Sequence, residues 1–131
     1  MKTVKELENI SKNIRKGVIE AVYSVKSGHP GGALSIADIL TVLYFNNMNI
    51  DPNNPKKVDR DRFILSKGHC SPALYSTLAH RGYFDEDNLV LFSDAIQGTK
   101  YPIWLLTFLK KEYAIAMPPK SKGEIGLEKF S

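Results

Sequence analysis

Apolar side chains at Val4, Leu7, Ile10, Ile14, Val18, Ala21 or Val22, and Val25 recur every three or four positions, with lysines and glutamates between them. That period draws one apolar stripe along an α-helix and predicts an amphipathic helix from Val4 to about Lys26. The Ser27-Gly28 pair breaks the pattern, and Lys26 suits the negative end of the helix dipole. A second apolar run holds Ile36, Ala37, Ile39, Leu40, Val42, Leu43, Tyr44 and Phe45 with few charges among them. It predicts a helix buried on most sides, opening at Ser35, whose spacing to Asp38 reads as a capping box, and running to about Asn47.

Beyond that point the period is lost. Asp51-Pro52-Asn53-Asn54-Pro55 favours turns over regular structure. The short apolar run Phe63-Ile64-Leu65 predicts a strand. A helix follows from Pro72 to about Arg81, with Ser71 as its N-cap and Gly82 as its C′ residue. Asp85 reads as the cap of a further short helix through Leu89 and Phe92, while His80, between Ala79 and Arg81, reads as a surface residue. From Thr99 the chain changes character. Apolar Tyr101-Pro102-Ile103-Trp104-Leu105-Leu106 is followed by charged Lys110-Lys111-Glu112 and a turn-like Pro118-Pro119-Lys120-Ser121-Lys122-Gly123. This tail has no capping or alternation that ties it to the preceding segment, so loose docking is expected.

With 131 residues, 43% hydrophobic and 24% charged, the chain has the make-up of one soluble globular domain. Its net charge of +4 hints at nucleic acid until the charge is located. Residues 1–98 carry 12 basic and 11 acidic side chains, and the excess sits in the tail as six lysines against three glutamates. No arginine or RNA-binding motif accompanies those lysines, so nucleic acid is not expected as a partner. No membrane span is expected either, because the longest apolar stretch, residues 103–109, falls far short of the ~20 residues required. The start Met1-Lys2-Thr3-Val4-Lys5-Glu6-Leu7-Glu8 has no apolar core of a secretory signal. Cys70 is the only cysteine, which excludes an internal disulfide and fits a cytoplasmic location.

Candidate chemistry gathers at Ser66-Lys67-Gly68-His69-Cys70-Ser71-Pro72. Free N–H groups at the start of the following helix, its positive dipole end and a glycine that admits close approach would together suit a phosphate. Taken alone, the segment reads rather as an ordinary strand-to-helix turn with a solvated histidine. A second glycine-rich turn upstream, Ser27-Gly28-His29-Pro30-Gly31-Gly32, carries another histidine and changes that balance. Cys70 beside His69 carries no thiol-nucleophile or metal pattern, since sequence neighbours diverge and no second cysteine or zinc-ligand spacing occurs.

Together with Asp59-Arg60-Asp61-Arg62-Phe63-Ile64-Leu65, the two turns resemble the N-terminal region of transketolases, over about Ile14 to Gly98. The likeness is to the split type, whose N-terminal half is a separate polypeptide. Deoxyxylulose-phosphate synthases fit less well, because the proline after the first histidine and the Ser-Lys-Gly-His run are transketolase-like. The resemblance implies an α/β class, as an incomplete thiamine diphosphate-binding fold, predominantly helical with one or two short strands. Residues 1–98 would form the N-terminal part of the diphosphate-binding domain, and residues 99–131 a divergent basic tail.

It further implies transfer of a two-carbon ketol unit from a ketose phosphate to an aldose phosphate, with thiamine diphosphate and Mg2+ as cofactors. His29 and His69 are the implied catalytic residues. His69, Gly68, Gly31 and Gly32 are the implied cofactor contacts, and no metal ligand is assigned. The implied partners are sugar phosphates, a homo-oligomer and a C-terminal transketolase subunit. The family pattern would continue past Gln97-Gly98 with a third histidine and a proline, where Thr99 and Lys100 stand here, and then with a Gly-Asp-Gly run that holds the metal. No aspartate follows Asp94. The expectation is therefore a chain truncated or frame-shifted after about Gly98 and inactive alone. A non-catalytic remnant or partner-binding fragment remains the alternative.

Overall fold

In the computed structural model the described residues are 1–26 and 28–89. Ser27, the end of the short helix expected through Phe92, and the tail from Thr99 lie outside them. The first helix, α1, spans Val4–Val25. Thr3 starts it with a reciprocal cap: its Oγ accepts from the Glu6 N–H at 3.3 Å, while Glu6 Oε2 accepts from the Thr3 N–H at 2.7 Å. Lys26 ends α1 in the left-handed conformation, φ 51°, donating its N–H to the Tyr23 carbonyl. The predicted stripe is buried at Ile14, Val18 and Ala21, half-buried at Leu7, Ile10 and Val22, and exposed at Val4.

The second helix, α2, spans Pro30–Val42 and runs directly into a π-helical turn, Leu43–Asn47. It opens five residues before the predicted Ser35. Proline is preset for the first helical turn, so the histidine-proline junction starts the helix and Gly31-Gly32 follow as helical residues. Ser35 is consequently interior, its Oγ donating back to the Gly32 carbonyl at 2.8 Å rather than capping. Asp38 is engaged elsewhere. Nor is α2 buried on most sides: Ala33, Ala37, Leu40 and Thr41 face the core, whereas Ile39 and Val42 are 58% and 41% exposed.

A 3-10 turn, Gly68–Cys70, leads into α3, Ser71–Arg81, which Gly82 closes with φ 92°. Cys70, not Ser71, holds the N-cap position, and no side chain caps there. The 3-10 turn shifts the start by one residue and draws Ser71 inside. Every residue from Ser71 to Ala79 is buried, making α3 the central element. Its small and hydroxyl side chains allow this, since Thr77 Oγ donates to the Ala73 carbonyl at 2.7 Å and Ser76 Oγ to the Ile14 carbonyl of α1 at 2.9 Å. The three helices pack pairwise around a core of Val18, Ala21, Leu40, Tyr44, Leu74, Tyr75 and Leu78. His80 is half-buried rather than a surface residue, with Nδ1 2.8 Å from the Ser76 carbonyl and Nε2 3.7 Å from Glu86. Asp85 precedes a short 3-10 turn, Glu86–Asn88, without a side-chain cap.

The strand expected at Phe63–Leu65 does not form among the described residues, where Ile64 is an isolated bridge residue. The described residues are predominantly helical, as expected, and no strand is seen among them. A strand needs several consecutive residues paired through their N–H and C=O groups, and among the described residues of this run only Ile64 carries a bridge. The run keeps only the in-and-out alternation of a strand. Leu65 is buried, Ile64 is 71% exposed, and Phe63 meets Tyr44 edge to face at 5.9 Å.

The segment between α2 and α3 is pinned. The Asn49 N–H donates to Asp61 Oδ2 at 2.7 Å, the Asp61 N–H donates to the Asn49 carbonyl at 3.0 Å, and Asn49 Nδ2 donates to the Asp59 carbonyl at 3.1 Å. At the far end, Arg81 Nε donates to the Tyr44 carbonyl at 2.9 Å.

Arg15 Nη2 joins α1 to α2 by donating to Asp38 Oδ2 at 2.6 Å, and Ser11 Oγ bridges the pair, donating to Asp38 and accepting from Arg15. The Arg15 hydrogen bond, then that of Ser11, holds the Asp38 carboxyl below its ordinary range. A depressed carboxyl adds stability above its unfolded value and loses it as the pH falls through the folded one. With Asp38 71% exposed, solvent limits the effect to about 1 kcal/mol or less. We expect Asp38→Asn to lower the urea midpoint near neutral pH and to leave it unchanged near about pH 2, where wild type has lost the same contribution. Equal losses at both pH values would remove the ion pair as the cause.

Candidate functional site

The two histidines singled out in the sequence meet. His29 is the residue before Pro30, at the N-cap of α2, and its side chain makes no cap hydrogen bond. His69 sits in the 3-10 turn that enters α3. Both are exposed, and their rings lie edge to face with centroids 4.6 Å apart and an interplanar angle of 83°. Two short-range devices set this up. Gly28, at φ 133°, turns the chain where a side chain would be strained, and Pro30 fixes the exit of the histidine into α2. On the other side the Cys70 N–H donates to the Lys67 carbonyl at 3.0 Å, folding Gly68–Cys70 tightly onto the start of α3.

The glycines differ in what surrounds them. Gly31 is exposed, and a Cβ built there would meet nothing within 4 Å. Gly32 is half-buried, and a Cβ there would lie 3.3 Å from Cys70 Sγ, 3.4 Å from Lys67 Cε and 3.5 Å from Lys67 Nζ. The first turn of α2 is therefore approached by one lysine amine, two imidazoles and its own early N–H groups, which proline and an uncapping histidine leave available to a ligand. Gly68 opens the 3-10 turn beside His69. The start of α3, where sequence reasoning put the anion site, is buried from Ser71 onward, and the exposed helix start is that of α2.

This donor set suits an anion. Backbone N–H groups, an ammonium and imidazoles are the groups that bind phosphoryl oxygens, and paired imidazoles also transfer protons near neutral pH. Cys70 is fully buried with its sulfur against Gly32, and it packs as a small apolar group. Among the described residues no three His, Cys, Asp or Glu side chains converge as a metal site. Among them, too, no helix is long and apolar enough to cross a membrane. Sequence reasoning named Lys67 within its motif without giving it a task. Only the bare Cα of Gly32, remote from Lys67 in sequence but adjacent in space, marks where its amine goes.

Residues 7–94 match the family described as transketolase, thiamine diphosphate binding domain. The chain is 45% identical over 98 residues to an apulose-4-phosphate transketolase subunit of Phocaeicola vulgatus, covering 72% of this chain and 35% of that protein. It is 49% identical over 79 residues to 6-deoxy-6-sulfo-D-fructose transketolase subunit SqwG of a Clostridium species, covering 60% of this chain and 29% of that one. Transketolase 1 of Escherichia coli is 46% identical over 83 residues, covering 63% of this chain and 12% of its own length. The chain thus spans about a third or less of these relatives.

Proposed function

The chain belongs to the transketolase thiamine diphosphate binding domain family, and from that premise we propose that it carries the N-terminal part of a transketolase cofactor site. The observation that carries this reading is the juxtaposition of His29 and His69 at 4.6 Å beside the open first turn of α2. The donors there fit a diphosphate. Thiamine diphosphate, when bound, supplies the nucleophilic carbon and the electron sink of a ketol transfer. His69, Gly68, Gly31 and Gly32 would hold its diphosphate, through the imidazole and through backbone that no side chain screens. His29 and His69 would move a proton to and from the substrate oxygen as its carbonyl becomes an alcohol and back.

Residues 1–98 form this part of the domain in our reading, and residues 99–131 a divergent basic tail. The substrates are sugar phosphates, the location is cytoplasmic, and the partners are a second copy and a C-terminal transketolase subunit. The subunit names of two relatives favour a split arrangement. Mg2+ accompanies the cofactor in this reading, yet the 131 residues contain no Gly-Asp-Gly run to hold it. The diphosphate carries several negative charges, of which one helix start and two imidazoles offset only part. The 131-residue chain alone is therefore expected to bind thiamine diphosphate only at millimolar concentration and to show no ketol transfer. A non-catalytic, partner-binding role is the second reading.

The test is a titration followed by the imidazole proton resonances and by calorimetry, with Mg2+, with and without a C-terminal transketolase subunit. Shifts of the His29 and His69 rings, lost in His69→Ala, support the site. Tight magnesium-dependent binding by the lone chain overturns its expected inactivity, and unmoved rings at saturating cofactor overturn the site itself.

A further inference from the structure

We infer that Lys67 is an anion-contacting residue of this site, its ammonium taking one phosphoryl group of the ligand directly. The inference rests on the reading of the site given above and adds to it a residue and a charge. Three observations converge. A Cβ at Gly32 would lie 3.5 Å from Lys67 Nζ and 3.4 Å from Cε, so the end of the lysine lies in van der Waals range of the bare Gly32 Cα face. Gly32 is the third residue of α2, which places the amine at the positive end of that helix, where a cation is disfavoured unless an anion joins it. Finally, no carboxylate pairs with Lys67 among the described residues, whereas Arg15 and Lys57 have Asp38 and Asp59.

Lys67 is exposed, so its ammonium is reachable from solvent while its end stays beside a helix start of its own sign. A phosphoryl group resolves the arrangement, because it can accept from Lys67 Nζ while the α2 N–H groups and His69 address its other oxygens. The geometry also makes Gly32 and Lys67 a matched pair. A hydroxyl side chain at residue 32 would meet the amine and hold it from the anion, so Gly32→Ser acts on the same contact from the other side.

The phosphoryl group could come from a diphosphate or from a sugar phosphate, and the experiment separates them. Inorganic pyrophosphate and ribose 5-phosphate are titrated separately into the full chain, with the Gly32 amide and the Lys67 side-chain resonances as readouts. Losing one charge-assisted hydrogen bond should weaken binding of the relevant anion about tenfold or more in Lys67→Met, with Lys67→Arg within about threefold of wild type. Lys5→Met, which removes an equal charge from the exposed start of α1, should change affinity less than twofold at physiological salt. Loss with pyrophosphate alone assigns the contact to the cofactor's diphosphate, and loss with the sugar phosphate alone assigns it to the substrate. If wild type shifts the His69 ring with pyrophosphate but Lys67→Met binds both anions equally well, the Lys67 contact is refuted while the site stands. If neither anion moves any of these resonances in wild type, the site and the Lys67 contact fall together.

Discussion

Above about pH 10 the folded protein is expected to lose close to 1.4 kcal/mol of stability per pH unit for each of two buried tyrosines, Tyr44 and Tyr75. Tyr75 is 1% exposed in α3 and Tyr44 7% exposed in the π-helical turn, and burial raises both phenols above their ordinary range. The sign follows directly. In the unfolded chain each phenol ionises near about 10, whereas the folded protein keeps its proton, so the unfolded state binds fewer protons and gains as the pH rises. The contribution is complete below that value and drains away from there upward. Tyr83, half-buried and raised chiefly by burial, adds less because water reaches it.

Urea midpoints measured from neutral pH to strongly alkaline conditions check this. Tyr75→Phe should remove about half of the alkaline slope, while lysine ionisation, common to both proteins, cancels in the comparison. An unchanged slope in Tyr75→Phe, or tyrosinate absorbance rising normally for every tyrosine while the fold persists, sinks the idea.

Gly17→Ala is expected to destabilise the protein by about 1–3 kcal/mol, against the helix propensity that favours alanine by about 1 kcal/mol. Gly17 lies within α1, where a glycine looks like a defect. A Cβ there would overlap Ser76 Oγ and lie 3.2 Å from Ser76 Cβ and 3.0 Å from Leu89 Cδ2. Ser76 cannot swing aside cheaply, since it is fully buried and its hydroxyl donates to the Ile14 carbonyl on α1 itself. The missing side chain is thus what lets α1 and α3 approach closely enough for that bond. Thermal unfolding of Gly17→Ala, Ser76→Ala and the double variant gives the coupling. The double variant should lose markedly less than the two single losses added together, because removing Oγ relieves the worst overlap. Strict additivity, or a stabilised Gly17→Ala, would show that the helices part without cost.

Helix existence was legible because apolar period reports burial on one face: α1 and α3 fall within a residue or two of the predicted limits. The start of α2 was not, since two competing signals, Pro30 and the Ser35–Asp38 spacing, both resemble a helix opening, and the ion pair with Arg15 took Asp38. Phe63–Leu65 carries strand composition, yet composition cannot say whether a neighbour offers a ladder. The two histidine turns were legible as motifs. Their ring contact and the Lys67–Gly32 contact were not, because both depend on helix packing across large separations in sequence.

The Arg81–Tyr44 hydrogen bond has a topological consequence. It joins the end of α3 to the turn that ends α2, while His29 and His69 join the places where the two helices begin. Helices that meet at both their starts and their ends run side by side in the same sense, so the chain leaving α2 must travel its whole length back before α3 can begin. For the 13 residues of α2 that return is about 20 Å at 1.5 Å per residue, out of reach of a tight connection. The long stretch between them, residues 48–67, is the crossover this direction demands. Its clasp between Asn49 and Asp61 closes off the surplus chain as a side loop, leaving only residues 62–67 to make the return to the histidine end.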